Sequence, residues 1–278
     1  MTRYAGGLAE RQHIVTDPDD TEAGDHEWDW HWSALGEPVE GHPASAYRLR
    51  LLVERLGSPG PGDTLLDIGC GQGETALLLH REFPAVRVLG TDYSASGVAR
   101  ATAAAEAAGV EMTFFQRDLL APAPVPPELR RCATVAVCSE VLEHVDDPTL
   151  LLRNATEYLA PGCRLVVTVP AGPRSAFDKH IGHRQHFRPD GLRTVLRGAG
   201  FEVLDVTRAG FPFFDLYRAM VILRGRRLVR DLTEHPEEGG GGSAHAALAV
   251  FSRLFRLNLD RSPFGWQLVA VARLAPAR

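Results

Sequence analysis

Between Thr64 and Gly210 the chain repeats one pattern: a short apolar run, then a segment with helical spacing. "TLLDIGC" (64–70), "VRVLGTDY" (86–93), "VEMTFFQRD" (110–118), "ATVAVCSEVL" (133–142), "CRLVVTVPAG" (163–172) and "FEVLDVTRAG" (201–210) read as buried strands. Helical patterns fall between them: "ETALLLHREFP" (74–84), "SASGVARATAAAEAAG" (94–109), "DPTLLLRNATEYLAPG" (147–162, with a Pro-Gly exit) and "PDGLRTVLRGAG" (189–200). Strands alternating with helices build βαβ units, so the pattern predicts a largely parallel sheet with helices on both faces and right-handed crossovers.

The flanks differ from this middle. Residues 1–42 are polar and acidic around a tryptophan cluster (Trp28, Trp30, Trp32), either a lid or an aromatic plug. "HPASAYRLRLLVERLG" (42–57) reads as an amphipathic helix ending at Gly57. This divides the chain into an N-terminal arm with its helix, a candidate lid, at 1–57 and a main domain at 58–278. Within the latter, 211–262 reads as an insertion before a final strand in "FGWQLVAVARL" (264–274). The insertion holds the apolar, basic "FPFFDLYRAMVILRGRRLVR", a Gly239–Gly242 linker and a helical "AALAVFSRLFRLNL" (246–259). Membrane contact by its basic face is possible but not favoured. The Arg224, Arg226, Arg227 and Arg230 cluster reads first as a solvated helix face.

A net charge of −5 argues against broad nucleic-acid binding, because no global positive field gathers phosphates. Cys70, Cys132, Cys138 and Cys163 form no Cys-x-x-Cys pair and sit in apolar runs. They read as buried hydrophobes of a reducing compartment rather than zinc ligands. With no signal peptide or membrane-length apolar run, the expected location is the cytoplasm.

The first strand turns into the first helix through "LLDIGCGQGE", the pattern Asp67-x-Gly69-x-Gly71-x-Gly73. Glycines allow a tight turn and a close ligand approach, and the helix start offers a positive end. The dinucleotide fingerprint would place another glycine where Glu74 stands, and an acid there suits a pyrophosphate poorly. Asp92 in "GTDYS" lies 25 residues after Asp67 at the end of the second strand, where a carboxylate takes ribose hydroxyls. Asp118 in "FFQRDLL" ends the third strand, where an acid accepts from an adenine amino group. Three strand ends therefore converge on one nucleoside.

With "CSEVLEHVDDP", "LAPGCRLVVTVP" and the late "GFEVLDV", these segments resemble the class I S-adenosylmethionine-dependent methyltransferases across roughly 60–210, with the final strand near 266–274. The resemblance implies an α/β, Rossmann-like doubly wound fold: a mostly parallel seven-stranded sheet with an antiparallel last strand, plus the helical arm and insertion. It implies S-adenosyl-L-methionine as cofactor, with Asp67 and the Gly69, Cys70, Gly71, Gly73 loop on its methionine part. Asp92 and Tyr93 would hold the ribose region, Asp118 and the Leu119 amide the adenine, and Ser139 and Glu140 would flank the reactive sulfur with His144. The implied activity is methyl transfer to a small-molecule acceptor, at oxygen, as in secondary metabolism. The apolar insertion raises a lipid or quinone-like acceptor as the alternative. A non-catalytic cofactor-binding scaffold is the reading from another class. Oligomeric state is not legible.

Methyl transfer to a hydroxyl needs one proton managed, and histidine is the usual choice. "DKHIGHRQHFRPD" (178–190) leaves the fifth strand at the cofactor edge and carries His180, His183 and His186. A similar GHxxHF segment occupies this place in related small-molecule and lipid methyltransferases. The histidines are open to a structural role, capping loop carbonyls, or to a catalytic one, with His183 first because Gly182 frees its backbone. His144 competes for the base role. A metal is not expected, since class I chemistry rarely needs one and Arg184 and Arg188 would repel it.

Overall fold

The computed structural model describes residues 43–234 and 250–276, with side chains of the first stretch to residue 223. The tryptophan cluster, the Gly239–Gly242 run, the side chains of the Arg224–Arg230 cluster and the start of the 246–259 segment lie outside the described residues.

A seven-stranded sheet carries the molecule: β1 (Thr64–Ile68), β2 (Arg87–Asp92), β3 (Thr113–Gln116), β4 (Ala133–Ser139), β5 (Leu159–Pro170), β6 (Phe201–Ala209) and β7 (Gln267–Leu274). Its order is β3-β2-β1-β4-β5-β7-β6. The first five strands pair in parallel, and β7 runs antiparallel between β5 and β6. This is the doubly wound sheet with a reversed last strand that the sequence implies. The order turns back between β1 and β4, which opens a crevice beyond their carboxyl ends.

Period-two alternation fills both faces. Leu66 of β1 and Leu165 of β5 enter one core, with Leu152, Leu192 and Leu196. Their neighbours Leu65 and Val166 enter the other, with Leu51, Leu52, Leu79, Phe214 and Phe255. The helices include α1 (Pro43–Leu56), α2 (Glu74–Glu82), α3 (Ala95–Ala108), α4 (Pro148–Ala155), α5 (Ala176–His180), α6 (Pro189–Gly198) and α7 (Phe213–Glu234). Ser94 caps α3 by accepting from the Gly97 N–H at 3.0 Å, and Gly109 closes it at φ 67°.

The fourth helical segment is shorter than its spacing predicts. α4 ends at Ala155, a 3-10 turn covers Thr156–Tyr158, and β5 begins at Leu159. Pro161 and Gly162 therefore lie inside the extended β5 rather than ending a helix. Leu159 is drawn into the sheet because it pairs with Ala133 and is wholly buried.

α1 is anchored on the body. Leu51 and Leu52 are buried, each contributing about 1.5–3 kcal/mol. The insertion holds it too: Asp260 accepts from the Tyr47 hydroxyl at 3.1 Å and from Arg50 at 2.8 Å. Asn258 caps α7 from afar, its Oδ1 accepting from the Phe213 and Phe214 N–H groups. No helix among the described residues is long and apolar enough to cross a membrane.

Candidate active site

A cavity of about 1060 Å³ opens beyond the carboxyl ends of β1, β2 and β4. The glycine loop forms one wall. Gly69 and Cys70 both donate to the Thr91 carbonyl, at 2.8 and 3.0 Å, so the loop is pinned to the end of β2. Gly69, Gly71 and Gly73 hold φ of 75°, 51° and 80°, where a side chain is strained. At Gly69 a Cβ would also stand 2.5 Å from Val141 Cγ2. Gly69→Ala therefore meets both strain and overlap, and is expected to lower stability by about 2–4 kcal/mol. Gly109→Ala, with φ 67° and nothing within 4 Å, is expected to cost only about 1 kcal/mol. Thermal unfolding of the two variants separates packing from backbone; equal losses would refute the close approach of Val141.

Asp67 lies beneath the loop, 1% exposed, and its Oδ2 has no hydrogen-bond partner among the described residues. Burial, with the nearby Asp92 charge, pushes its carboxyl up to about 7. Asp92 braces the loop: one oxygen accepts from the Gly71 N–H and the other from the Ser94 N–H, both at 2.8 Å. Asp118 accepts from the Leu120 N–H at 2.7 Å, and the Leu119 carbonyl is held by Asn154 at 2.8 Å. Cys70, Tyr93, Asp118, Leu119, Ser139 and Glu140 all line the cavity, whereas Gly73 sits behind it at the start of α2.

The segment after β4 forms the far wall. Glu140 holds φ 56°, a strained value for a side-chain residue, and three contacts fix it there. Its N–H donates to the Thr168 carbonyl at 2.9 Å, its Oε1 accepts from Gln267 at 2.8 Å, and Arg48 of α1 stands 3.9 Å from Oε2. The Ser139 and Thr168 hydroxyls share a hydrogen bond at 2.8 Å.

Three of the four candidate histidines meet here. The His144 and His183 rings cross edge-on with centroids 4.7 Å apart, and both line the cavity. His186 Nδ1 lies 3.2 Å from the Gly172 carbonyl, which can only accept, so this nitrogen carries hydrogen. In the neutral ring His186 Nε2 then accepts from His183 Nδ1 at 3.1 Å. His183 Nε2 is left as a bare lone pair. Burial, reinforced by His144 and opposed by Asp178, pushes His183 down to about 3, and burial lowers His186 as well. His180 stands apart, exposed at the end of α5.

Several residues of this wall were not singled out by sequence. Glu143 is fully buried, and neither carboxylate oxygen has a hydrogen-bond partner among the described residues. Burial, then Glu140, pushes it well above the carboxylate range. An acid inside the apolar "VLEHV" was the available signal. Asp178, also fully buried, pairs with Arg218 of α7 at 2.8 Å and caps α5 through Ser175. Burial alone would raise Asp178, but Arg218 and the Ser175 donors hold it below its usual value. Arg218 with Phe214 and Tyr217 brings α7 to the cavity, beside Phe177, Ile181 and Trp266. Only tertiary packing reveals those contributions.

A family model described as "Methyltransferase domain" matches residues 42–206. Among curated proteins, "Ubiquinone biosynthesis O-methyltransferase" of Sodalis glossinidius (strain morsitans) is 33% identical over 131 residues, 47% of this chain. The match spans about half, 50%, of that relative's length. "Demethylmenaquinone methyltransferase" of Thermus thermophilus is 35% identical over 167 residues, 58% of this chain and 73% of that protein. Among solved structures, the [4+2]-cyclase SpnF superposes with a TM-score of 0.57 at 24% identity, over 84% of this chain and 82% of that one. That likeness speaks for the fold alone.

Proposed function

This chain belongs to the methyltransferase-domain family of class I S-adenosylmethionine-dependent enzymes, and on that premise we propose that it methylates a hydroxyl oxygen of a quinone-class aromatic acceptor. One observation carries the choice of oxygen: the bare Nε2 of His183, oriented through His186 and Gly172, at the aromatic end of the cavity. The names of the curated relatives support an acceptor of this class over a general secondary metabolite. The four free thiols support a reducing, cytoplasmic setting.

The residues present fit the cofactor. Asp67 has an unpartnered buried oxygen for a cationic amine, and the glycine loop is a cradle that a Cβ would strain or fill. The cofactor supplies a methyl group on a sulfonium, an electrophile with a good leaving group. Asp67 and Gly69–Gly71 would hold its amino-acid end. Asp92 would accept from the ribose hydroxyls beside the Gly71 and Ser94 donors, Tyr93 lies beside it, and Asp118 and Leu119 would hold the base. Ser139 and Glu140 stand at the passage to the histidines. There His183 Nε2, kept neutral by its burial, accepts the hydrogen bond of the acceptor hydroxyl, which aligns the oxygen for attack. Phe214, Tyr217 and Trp266 would shield the transfer from water and stack on the ring.

The GHxxHF segment is on this reading an acceptor-side element, and 211–262 an acceptor-facing insertion in a domain spanning 58–278. The α1 part of the 1–57 unit lines the cavity through Arg48. Asp67 also gives the cofactor site a pH dependence. Its carboxyl, raised to about 7, is neutral below that pH and must ionise to receive a cation. Affinity should therefore rise with pH, approaching tenfold per unit below about 7 and levelling above it. Calorimetry between pH 5.5 and 7.5 checks this, and Asp67→Asn should flatten the curve. A wild-type curve that is flat or falls with rising pH would exclude Asp67 from the amine site.

The function itself is tested with S-adenosylmethionine carrying a deuterated methyl group, offered with catechols and hydroquinones with and without apolar tails. A labelled methyl ether is expected by mass spectrometry. Label on carbon, nitrogen or sulfur alone would reject the oxygen assignment. Cofactor binding without label on any acceptor would favour the scaffold reading.

A further inference from the structure

We propose that Glu143, His144 and His183 form a binding site for a divalent transition-metal ion of the zinc type, its open coordination position turned toward the acceptor. One donor atom from each residue lies within 4.8 Å of the others. Both oxygens of the fully buried Glu143 lack a hydrogen-bond partner among the described residues. A carboxylate withdrawn from water this far, with only the distant Arg48 and Arg218 charges to offset its lost hydration, calls for a cation. His183 spends Nδ1 on His186, which is itself anchored on the Gly172 carbonyl, and this leaves Nε2 as a fixed lone pair. Metal-ligating histidines are oriented through their second nitrogen in the same way.

Two histidines, one glutamate and an open position are a donor set of catalytic zinc. His144 and His183 line the cavity, so the open position faces the acceptor. A triangle of 4.8 Å edge has its corners about 2.8 Å from the centre. A shift of under about 1 Å per side chain then reaches zinc bond lengths of roughly 2.0–2.2 Å. Of the arginines that argue against a metal in the sequence, Arg184 pairs with Asp146 and Arg188 is exposed to water; Arg218, which packing brings near, pairs with Asp178. Asp178, His183 and His186 make a second cluster, but it is already spent. Asp178 takes Arg218 on one oxygen and Ser175 on the other, and both His186 nitrogens are hydrogen-bonded.

The ion would act on the acceptor hydroxyl of the proposed reaction and in that respect rests on it. With the ion bound, coordination would replace the hydrogen bond from the acceptor hydroxyl to His183 Nε2 and polarise the oxygen, and its proton would leave to water at the open mouth of the cavity. The freed oxygen pair forms the bond to the methyl carbon, while sulfur keeps the pair of the bond that breaks.

The test uses the full chain without a histidine tag, stripped by chelator and titrated with Co2+. One equivalent should bind with the visible bands of a four- or five-coordinate ion, and adding catechol should shift those bands. Glu143→Gln and His183→Gln should each weaken Co2+ binding about 100-fold, and His186→Gln by about 10-fold. His180→Ala should leave it unchanged. Circular dichroism identifies the folded variants that count. No bands in the wild type, or wild-type affinity in folded Glu143→Gln and His183→Gln, overturns the site. S-adenosylhomocysteine binding by the stripped chain tests the methyl-transfer reading separately, so normal cofactor binding without Co2+ bands removes the metal alone.

Discussion

Asp92→Ala should weaken S-adenosylmethionine binding at least about 100-fold in calorimetry. The wild-type carboxylate serves two sets of donors. It already accepts from the N–H groups of Gly71 and Ser94, each at 2.8 Å, and it faces the cavity where the ribose hydroxyls would lie. Hydrogen bonds to a charged group contribute about 1.5–3 kcal/mol each. Losing the ribose contacts and the brace on the loop together is expected to cost about 3 kcal/mol, which is the stated factor. Asp92→Asn keeps one acceptor and should fall between the two. An affinity within threefold of wild type in folded Asp92→Ala would move the cofactor away from β2.

His183→Ala should lower kcat about 100- to 1000-fold while the cofactor dissociation constant stays within twofold. Aligning and activating a positioned hydroxyl, by the His183 hydrogen bond or through the ion His183 would help to hold, is worth about 10²–10⁴-fold. His183 is 8% exposed, at the acceptor end of the cavity, and contacts His144 and His186 rather than the glycine loop. His186→Gln should reproduce part of the loss, because the ring would no longer be held in one tautomer and orientation. Rapid-quench measurement separates the methyl-transfer step from product release. Unchanged kcat in His183→Ala would return the histidines to capping and packing. Equal losses in kcat and cofactor affinity would mean that the segment supports the whole cavity rather than the chemistry.

Much of the glycine-loop wall of the cavity, the side proposed for the cofactor, was legible along the chain. The loop glycines stand at the turn that follows β1, and Asp92 and Asp118 stand at the ends of β2 and β3, because a doubly wound sheet brings successive strand ends to one edge. The acceptor side was legible only in part. His183 and His144 were visible as candidates, but nothing in their spacing showed that their rings would cross at 4.7 Å. Glu143, Arg48, Arg218 and Gln267 come from four different elements and converge only through packing. Pro161-Gly162 misled as a helix exit, because a local stop signal cannot register that Leu159 has a partner in β4.

The sequence by itself determined the alternation of strands and helices, the glycine turn and the order of the acids, since these depend on periodicity and on conformational preferences a few residues long. Tertiary structure alone decided the His186-to-His183 hydrogen bond, the burial of Glu143 with neither oxygen hydrogen-bonded among the described residues, and the entry of α7 into the cavity wall. The histidines stand only three positions apart, but their setting, like the other two features, depends on side chains 40 to 127 positions apart, as in the Arg218–Asp178 and Gln267–Glu140 pairs, and on how much water the packed sheet leaves around them.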